Sequence, residues 1–306
     1  MNEARYRAAE EALWRSLGAT PAERRLSLAR TMTQVRVQEV GAGPPIVFIH
    51  GANTSGASWA AIAASLTGFR CLLVDRPGTG LSPALRQPVD AATLPSFAEA
   101  FVVDVLDALD LPTAHLVATS FGGYIALRTA AAHPDRIGRM VLYSWSAGLP
   151  VEHLPTFMRL MVLPGIGRLG AAMPQNRRSI RLVFTGLGHR AALEDGRITQ
   201  EDLDAYLALV RDTDTMRNEL AMGRALIRPR GGVDGMLLPA DLLRSITTPT
   251  LLLWGENDPF GGAAIARDVA ARLPGATLEL LPGAGHAPWL DDLRRCVGAT
   301  AAFLSA

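Results

Sequence analysis

The stretch AHLVATSFGGYIALRTAAAHP, residues 114–134, carries the reading of the fold. An apolar run enters Ser120 with no spacer, and the residues that follow read as a helix over 121–132. So abrupt a strand-to-helix turn strains the backbone at the serine and brings the next element close. The positions two residues either side must therefore be small, and Ala118 and Gly122 occupy them. A serine placed there sits on a helix N-terminus, whose free N–H groups, Phe121 foremost, can stabilise an oxyanion. The competing reading is a serine that only caps the helix.

Working outward, IVFIH (46–50), CLLVD (71–75), RMVLYSW (139–145), LLLWGEND (251–258) and TLELLPGAGH (277–286) are further short, almost continuous apolar runs. Strands of that kind, alternating with helical stretches at 57–66, 96–110, 121–132, 263–273 and 289–304, belong to a parallel sheet covered on both faces. The expected class is α/β, a mostly parallel central sheet with helices on both faces. TQVRVQEVG (33–41) alternates polar and apolar residues as a half-buried strand does, and the sheet is expected to start there. Before it, Tyr6, Ala9, Leu13 and Leu17 keep helical spacing, so 1–32 reads as an accessory helix and lead-in. Between Trp145 and Thr248 helical patterns replace strands: HLPTFMRLMVL, RRSIRLVFTGL, TQEDLDAYLALV and TMRNELAMGRALI, separated by prolines and glycines. The expected organisation is a core of 33–147 and 246–306, interrupted over 148–245 by a helical cap.

Three more segments end at the same edge of this sheet. IVFIH runs into HGANTSGASW, a loop without bulky residues until Trp59, from which the N–H of Ala52 can serve the same oxyanion as that of Phe121. His50, at a strand end beside Gly51, reads as structural. Asn53 either faces the pocket or tolerates an unusual turn angle. LLLWGEND brings Glu256 and Asp258 past the end of its strand, and the residues alone do not choose between them; Asp258 before Pro259 also suits an Asx turn. LPGAGHAPWLDD carries His286 on a glycine-rich loop after the last strand. Nucleophile, acid and base then follow in the order Ser, Asp, His, each at the carboxyl edge where open parallel sheets place their sites.

Composition narrows the partners. Thirty Lys and Arg against 29 Asp and Glu give a net charge of +1 in 306 residues, and like charges form no long run. Neither nucleic acid nor an anionic membrane is the expected partner, which leaves a small-molecule substrate. Cys71 and Cys296 have no neighbours at metal-ligand spacing and read as small buried apolar residues. No metal or organic cofactor is signalled. The N-terminus lacks the apolar core of a signal peptide, and Arg, Pro or Gly breaks every apolar run before the roughly 18 residues that span a bilayer, so a cytoplasmic protein is expected.

The segments HGAN (50–53), DRPGTGLS (75–82), ATSFGG (118–123), WGENDPF (254–260) and GAGHAPW (283–289) together resemble the α/β-hydrolase family, over about residues 33–304. The resemblance implies Ser120 as nucleophile, Asp258 as acid, His286 as base, and the N–H groups of Ala52 and Phe121 as oxyanion hole. It also implies that DRPGTGLS is a structural turn, so that Asp75 is no rival acid. Two positions depart from the family pattern: Ala118 stands for the usual first glycine, and Thr119 for a larger polar residue. Ser120 disfavours the branches that place an aspartate at the elbow. Region 148–245 is similar to the helical caps of relatives, which set substrate choice. Within it, Phe157, Met158, Leu160, Met161, Leu163, Leu182, Val183 and Phe184 are pocket or core candidates. Arg177, Arg178, Arg181, Arg190 and Arg224 are solvated or hold a substrate carboxylate, and Trp145 is a candidate for the pocket floor. An esterase or lactonase is expected, with a carbon–carbon bond hydrolase of diketone-like substrates or a non-catalytic binder as alternatives; turnover of simple esters separates enzyme from binder.

Overall fold

The apolar runs pair into one eight-stranded sheet in a computed structural model that describes residues 1–87, 89–150, 175–226 and 236–306. The strands are β1 (Ala22–Leu28), β2 (Thr33–Gly41), β3 (Pro45–Ile49), β4 (Arg70–Val74), β5 (Ala114–Thr119), β6 (Ile137–Ser146), β7 (Thr250–Gly255) and β8 (Thr277–Leu281). Their spatial order is β1-β2-β4-β3-β5-β6-β7-β8. β1 and β2 pair antiparallel, as do β2 and β4, and every later pairing is parallel.

Side chains alternate between two buried layers. Val47, Ile49, Leu72, Leu116 and Ala118 face Phe101, Val105 and Ile125, which come from helices α3 (Leu94–Ala108) and α4 (Ser120–Ala132). Ile46, Phe48, Cys71, Leu73 and Val117 face the other way, toward Trp59, Trp289 and Cys296. Both faces are thus dry, which is why these strands read as unbroken apolar runs. Both cysteines lie in that second layer, and burial pushes the Cys71 thiol up to about 12. The second layer is closed by α2 (Ala60–Ser65) and the C-terminal helix, while α1 (Glu3–Ser16) opens the chain.

The sheet begins earlier than expected, at Ala22 rather than Thr33. In AERRLSL only Leu26 and Leu28 are buried, so alternation is confined to the last three residues. The rest of the edge is charged: Arg24 pairs with Glu39 across the ladder at 2.7 Å, and such charge on an edge discourages pairing with another chain.

Between β6 and β7 the described residues hold five helices, α5 (Arg177–Gly186), α6 (Arg190–Glu194), α7 (Gln200–Asp212), α8 (Thr215–Leu226) and α9 (Ala240–Ser245), and no strand. The pattern expected at 153–163 lies outside the described residues. Asn176 and Thr199 cap α5 and α7, each accepting from the N–H three residues on. The core resumes with α10 (Ala263–Arg272) between β7 and β8 and ends with α11 (Leu293–Ser305), whose start is set by the Asp292 cap rather than by Trp289. Among the described residues no helix is long and apolar enough to cross a membrane.

α1 ties these parts together. Its Tyr6 hydroxyl donates to Glu10 (2.8 Å) and stands 3.0 Å from Ser55 Oγ. Glu10 accepts from Arg36 of β2, whose guanidinium also reaches Asp75 and Glu23. On its other side α1 packs along α7, and Asn2 N–H donates to Asp212 O at 2.6 Å.

Candidate active site

Parallel pairing sets Ile49 opposite Ala118 and Thr119 opposite Tyr143, so the loops after β3, β5, β7 and β8 emerge at one edge. At Ser120 the chain turns from β5 into α4 with φ of 52°, a left-handed conformation that an L-residue adopts only under constraint. The turn needs Gly122, since a methyl group there would overlap the carbonyl oxygen of Ile49. Ala118 is fully buried in β5 with ordinary strand pairing, so the methyl that departs from the family pattern is accommodated. Thr119 donates its hydroxyl to Tyr143 O at 2.7 Å, which fastens the end of β5 to β6. The Ser120 side chain is half-buried, and its hydroxyl makes no hydrogen bond among the described residues.

Asp258 and His286 meet across the sheet edge. His286 Nδ1 donates to Asp258 Oδ2 at 2.9 Å. The same oxygen accepts from Trp145 N–H at 3.0 Å, and Oδ1 accepts from Phe260 N–H at 2.9 Å. The second of these is the Asx turn, so Asp258 shapes its own loop as well as holding the histidine. Glu256 is exposed, which resolves the choice between the two carboxylates in favour of Asp258 as the partner of His286. Nδ1 being taken up by Asp258, Nε2 is the ring nitrogen with no hydrogen-bond partner among the described residues. The ring packs on Phe260 (centroids 4.6 Å apart), which stacks on Trp145 (4.9 Å, 14° between planes). Trp145 therefore supports the histidine from behind, and its indole N–H donates to Pro150 O.

The loop after β3 lies against the serine. A methyl group on Gly51 would stand 2.9 Å from Ser120 Cβ, so only glycine permits this approach. Asn53 has φ of 57°, which supports the turn-angle reading. Its N–H donates to Glu219 Oε2 at 3.1 Å, whereas no hydrogen bond among the described residues takes up the neighbouring N–H of Ala52. Phe121, in the first turn of α4, has no intrahelical acceptor for its N–H by position. His50 is structural: Nε2 accepts from Arg76 N–H at 3.0 Å, so Nδ1 carries the proton and donates to Gly51 O at 2.8 Å. Burial, helped by the nearby Arg76 charge, holds this histidine well below its ordinary range and hence neutral. Asp75 accepts from the N–H groups of Gly56 and Leu81, a structural use in line with the turn it heads.

Four functional-site neighbours escaped the sequence reading: Arg76, Glu219, His189 and Asp291. Arg76 donates to the carbonyls of His50 and Gly51, lies 4.8 Å above the Phe121 ring, and forms a buried ion pair with Glu219 of α8 at 2.9 Å. His189, just before α6, donates Nδ1–H to Asp291 Oδ2 at 2.7 Å. A charged residue on an amphipathic helix reads by default as a solvated one, and no local pattern marks these four.

Of the apolar candidates in the insertion, Leu182 and Val183 are exposed and Phe184 packs inside the insertion against Tyr206 and His189. For Phe184 this is the core reading: with Ile180 it faces Leu193 and Leu203 inside the insertion. Phe157, Met158, Leu160, Met161 and Leu163 lie outside the described residues. Arg177, Arg178, Arg181 and Arg190 are exposed, and Arg177 pairs with Asp204 at 2.7 Å. Arg224 differs: its Nε and one terminal nitrogen are buried with no hydrogen-bond partner among the described residues.

The chain is similar to known proteins. The chain is 34% identical over 282 residues to a pimeloyl-[acyl-carrier protein] methyl ester esterase of Chromobacterium violaceum, covering 88% of this chain and 97% of the relative. It is 28% identical over 268 residues to a 2-hydroxy-6-oxononadienedioate/2-hydroxy-6-oxononatrienedioate hydrolase of Cupriavidus pinatubonensis, covering 85% and 86%. Among solved structures, a 2-hydroxy-6-oxo-6-phenylhexa-2,4-dienoate hydrolase from a Rhodococcus species superposes with a TM-score of 0.77 at 18% identity, covering 94% of this chain and 99% of that one. The naproxen esterase of Bacillus subtilis gives 0.71 at 18% identity, covering 98% and 97%. The family model described as the alpha/beta hydrolase fold matches residues 44–293, most of the length, and with the sheet order and the loops at its edge it leads to one conclusion: the chain belongs to the α/β-hydrolase family.

Proposed function

We propose that the protein hydrolyses an ester or lactone-type bond of a small organic substrate, with Ser120 as nucleophile, His286 as general base and Asp258 as the residue that orients the base. The observation that carries this reading is the Asp258–His286 hydrogen bond, made on the same sheet edge as a serine held at positive φ on a helix N-terminus. His286 Nε2 takes the proton of Ser120 as the hydroxyl oxygen attacks the carbonyl carbon. The developing oxyanion accepts from the N–H groups of Phe121 and Ala52. Collapse expels the alcohol, which takes the proton back from His286, and water then releases the acyl group with the same base. The Ser120–His286 contact required here is of the kind that commonly tightens only in the substrate complex.

The helical segment 148–245 acts in this proposal as a cap that bounds the substrate space, supported by the contacts of α8 with the Asn53 loop and of residues 187–189 with the His286 loop. Relatives named as dienedioate hydrolases support a second reading, cleavage of a carbon–carbon bond next to a carbonyl by the same three residues. No metal or organic cofactor enters either scheme.

A fluorophosphonate probe tests the nucleophile, because it requires an activated serine and an oxyanion hole but little substrate fit. Wild type is expected to label and Ser120→Ala not to label, with ester turnover falling roughly a thousandfold or more in the variant. Equal labelling of both would sink the assignment. Parallel assays on p-nitrophenyl esters and on a vinylogous diketone then separate ester from carbon–carbon cleavage.

A further inference from the structure

The backbone of the histidine loop is held by the insertion. Three successive N–H groups, those of Gly285, His286 and Ala287, donate to Asp291 Oδ2 (2.9 Å), Leu187 O (2.9 Å) and His189 Nε2 (3.1 Å). Two of these acceptors come from residues 187–189 of the insertion, and the third is itself fixed by His189, whose Nδ1–H donates to the same Asp291 oxygen. The His189 ring is fully buried and bridges both partners, so it must be neutral with its proton on Nδ1. The two segments touch closely here as well. A methyl group on Gly188 would lie 2.6 Å from Asn257 O and 2.9 Å from Gly285 Cα, and one on Gly285 would lie 2.8 Å from the His189 ring.

We infer that His189 is a positioning residue for the base: by accepting from Ala287 N–H and donating to Asp291, it sets where His286 stands relative to Ser120. This rests on the hydrolytic reading above. Asp258 holds the His286 ring at Nδ1 and Phe260 packs against it, but where the ring stands relative to Ser120 still depends on the backbone that carries it. Pinning by Leu187, His189 and Asp291 supplies that constraint from the opposite side. The bond to Ala287 is the decisive one, because it holds the residue immediately after the base and no other described group takes that N–H.

Two conservative variants separate the two bonds of His189. His189→Gln keeps an acceptor where Nε2 stood and loses the donor to Asp291; His189→Asn keeps the donor and loses the acceptor. The measurement is the rate of fluorophosphonate labelling against pH, split into the maximal rate and the probe concentration for half-maximal rate, with thermal melting as a check on folding. His189→Asn is expected to label about ten- to a hundredfold more slowly, through the maximal rate rather than probe affinity and with its pH midpoint displaced. His189→Gln is expected to recover most of that loss. Equal rates for the two variants, or wild-type rates for His189→Asn, would overturn the inference. If wild type itself fails to label, or labels equally as Ser120→Ala, it is the hydrolytic reading that fails.

Discussion

His50 is neutral because burial strips water from it and Arg76 repels a second positive charge, and its two ring nitrogens are already committed to Arg76 N–H and Gly51 O. Its folded pKa lies below the unfolded value of about 6.5, so between those two values the unfolded chain binds the extra proton. The His50 contribution is complete above about pH 6.5 and is lost as the pH falls toward the folded pKa. Stability from urea titrations should therefore decline on acidification below about pH 6.5, with a slope from this residue of up to about 1.4 kcal/mol per pH unit. His50→Asn should flatten that slope; an unchanged slope would mean that the titration lies elsewhere, His115 being the other histidine whose pKa burial lowers. At this scale much of the site was legible. Ser120 is marked by small residues on both sides, and His50 by its strand end beside glycine. Between Asp258 and Glu256 the residues alone did not choose, since both sit past the end of β7; the family resemblance pointed to Asp258, and in the structure burial and three donors set it apart.

Elements were legible where burial was two-sided. β3, β4, β5 and β7 read as apolar runs because water reaches neither face, whereas β1 hides behind Glu23, Arg24 and Arg25 at the edge. Helix α8 was found by its period, but its docking was not: Glu219 is one charged residue among several until Arg76 is seen beneath it. Both members of that pair are almost fully buried. Truncating Glu219→Ala leaves the buried Arg76 charge without its counter-charge and the Asn53 N–H without its acceptor, and the denaturation midpoint should report a loss of about 3–5 kcal/mol. Glu219→Gln, which keeps one acceptor oxygen for one of these two donors, should lose less. A loss below about 1 kcal/mol for the alanine variant would mean that α8 is not held by this pair.

For the molecule as a whole, α1 works as a strut between the insertion and the sheet. Tyr6, Leu13 and Trp14 are buried, Glu10 meets Arg36 of β2, and Asn2 and Arg5 meet Asp212 at the end of α7. Removing residues 1–17 should lower the thermal midpoint and expose α7 to protease while the sheet still resists, which mass spectrometry of the fragments would show; cleavage beginning in the sheet would count against a strut. Such long-range contacts, 2 with 212, 53 with 219, 189 with 291, leave no periodic trace in the chain, which is why the layers could be read from it and the seating of the insertion could not.

The close approach of Gly188 to Gly285 has a consequence for how such proteins diversify. An insertion joined to its sheet only by hinges could be exchanged wholesale, as one swaps a module. Here the backbone of 187–189 is itself a wall of the histidine loop, so a graft from a relative would have to carry both 187–189 and 283–291, or the recipient would take on the new insertion together with a displaced His286.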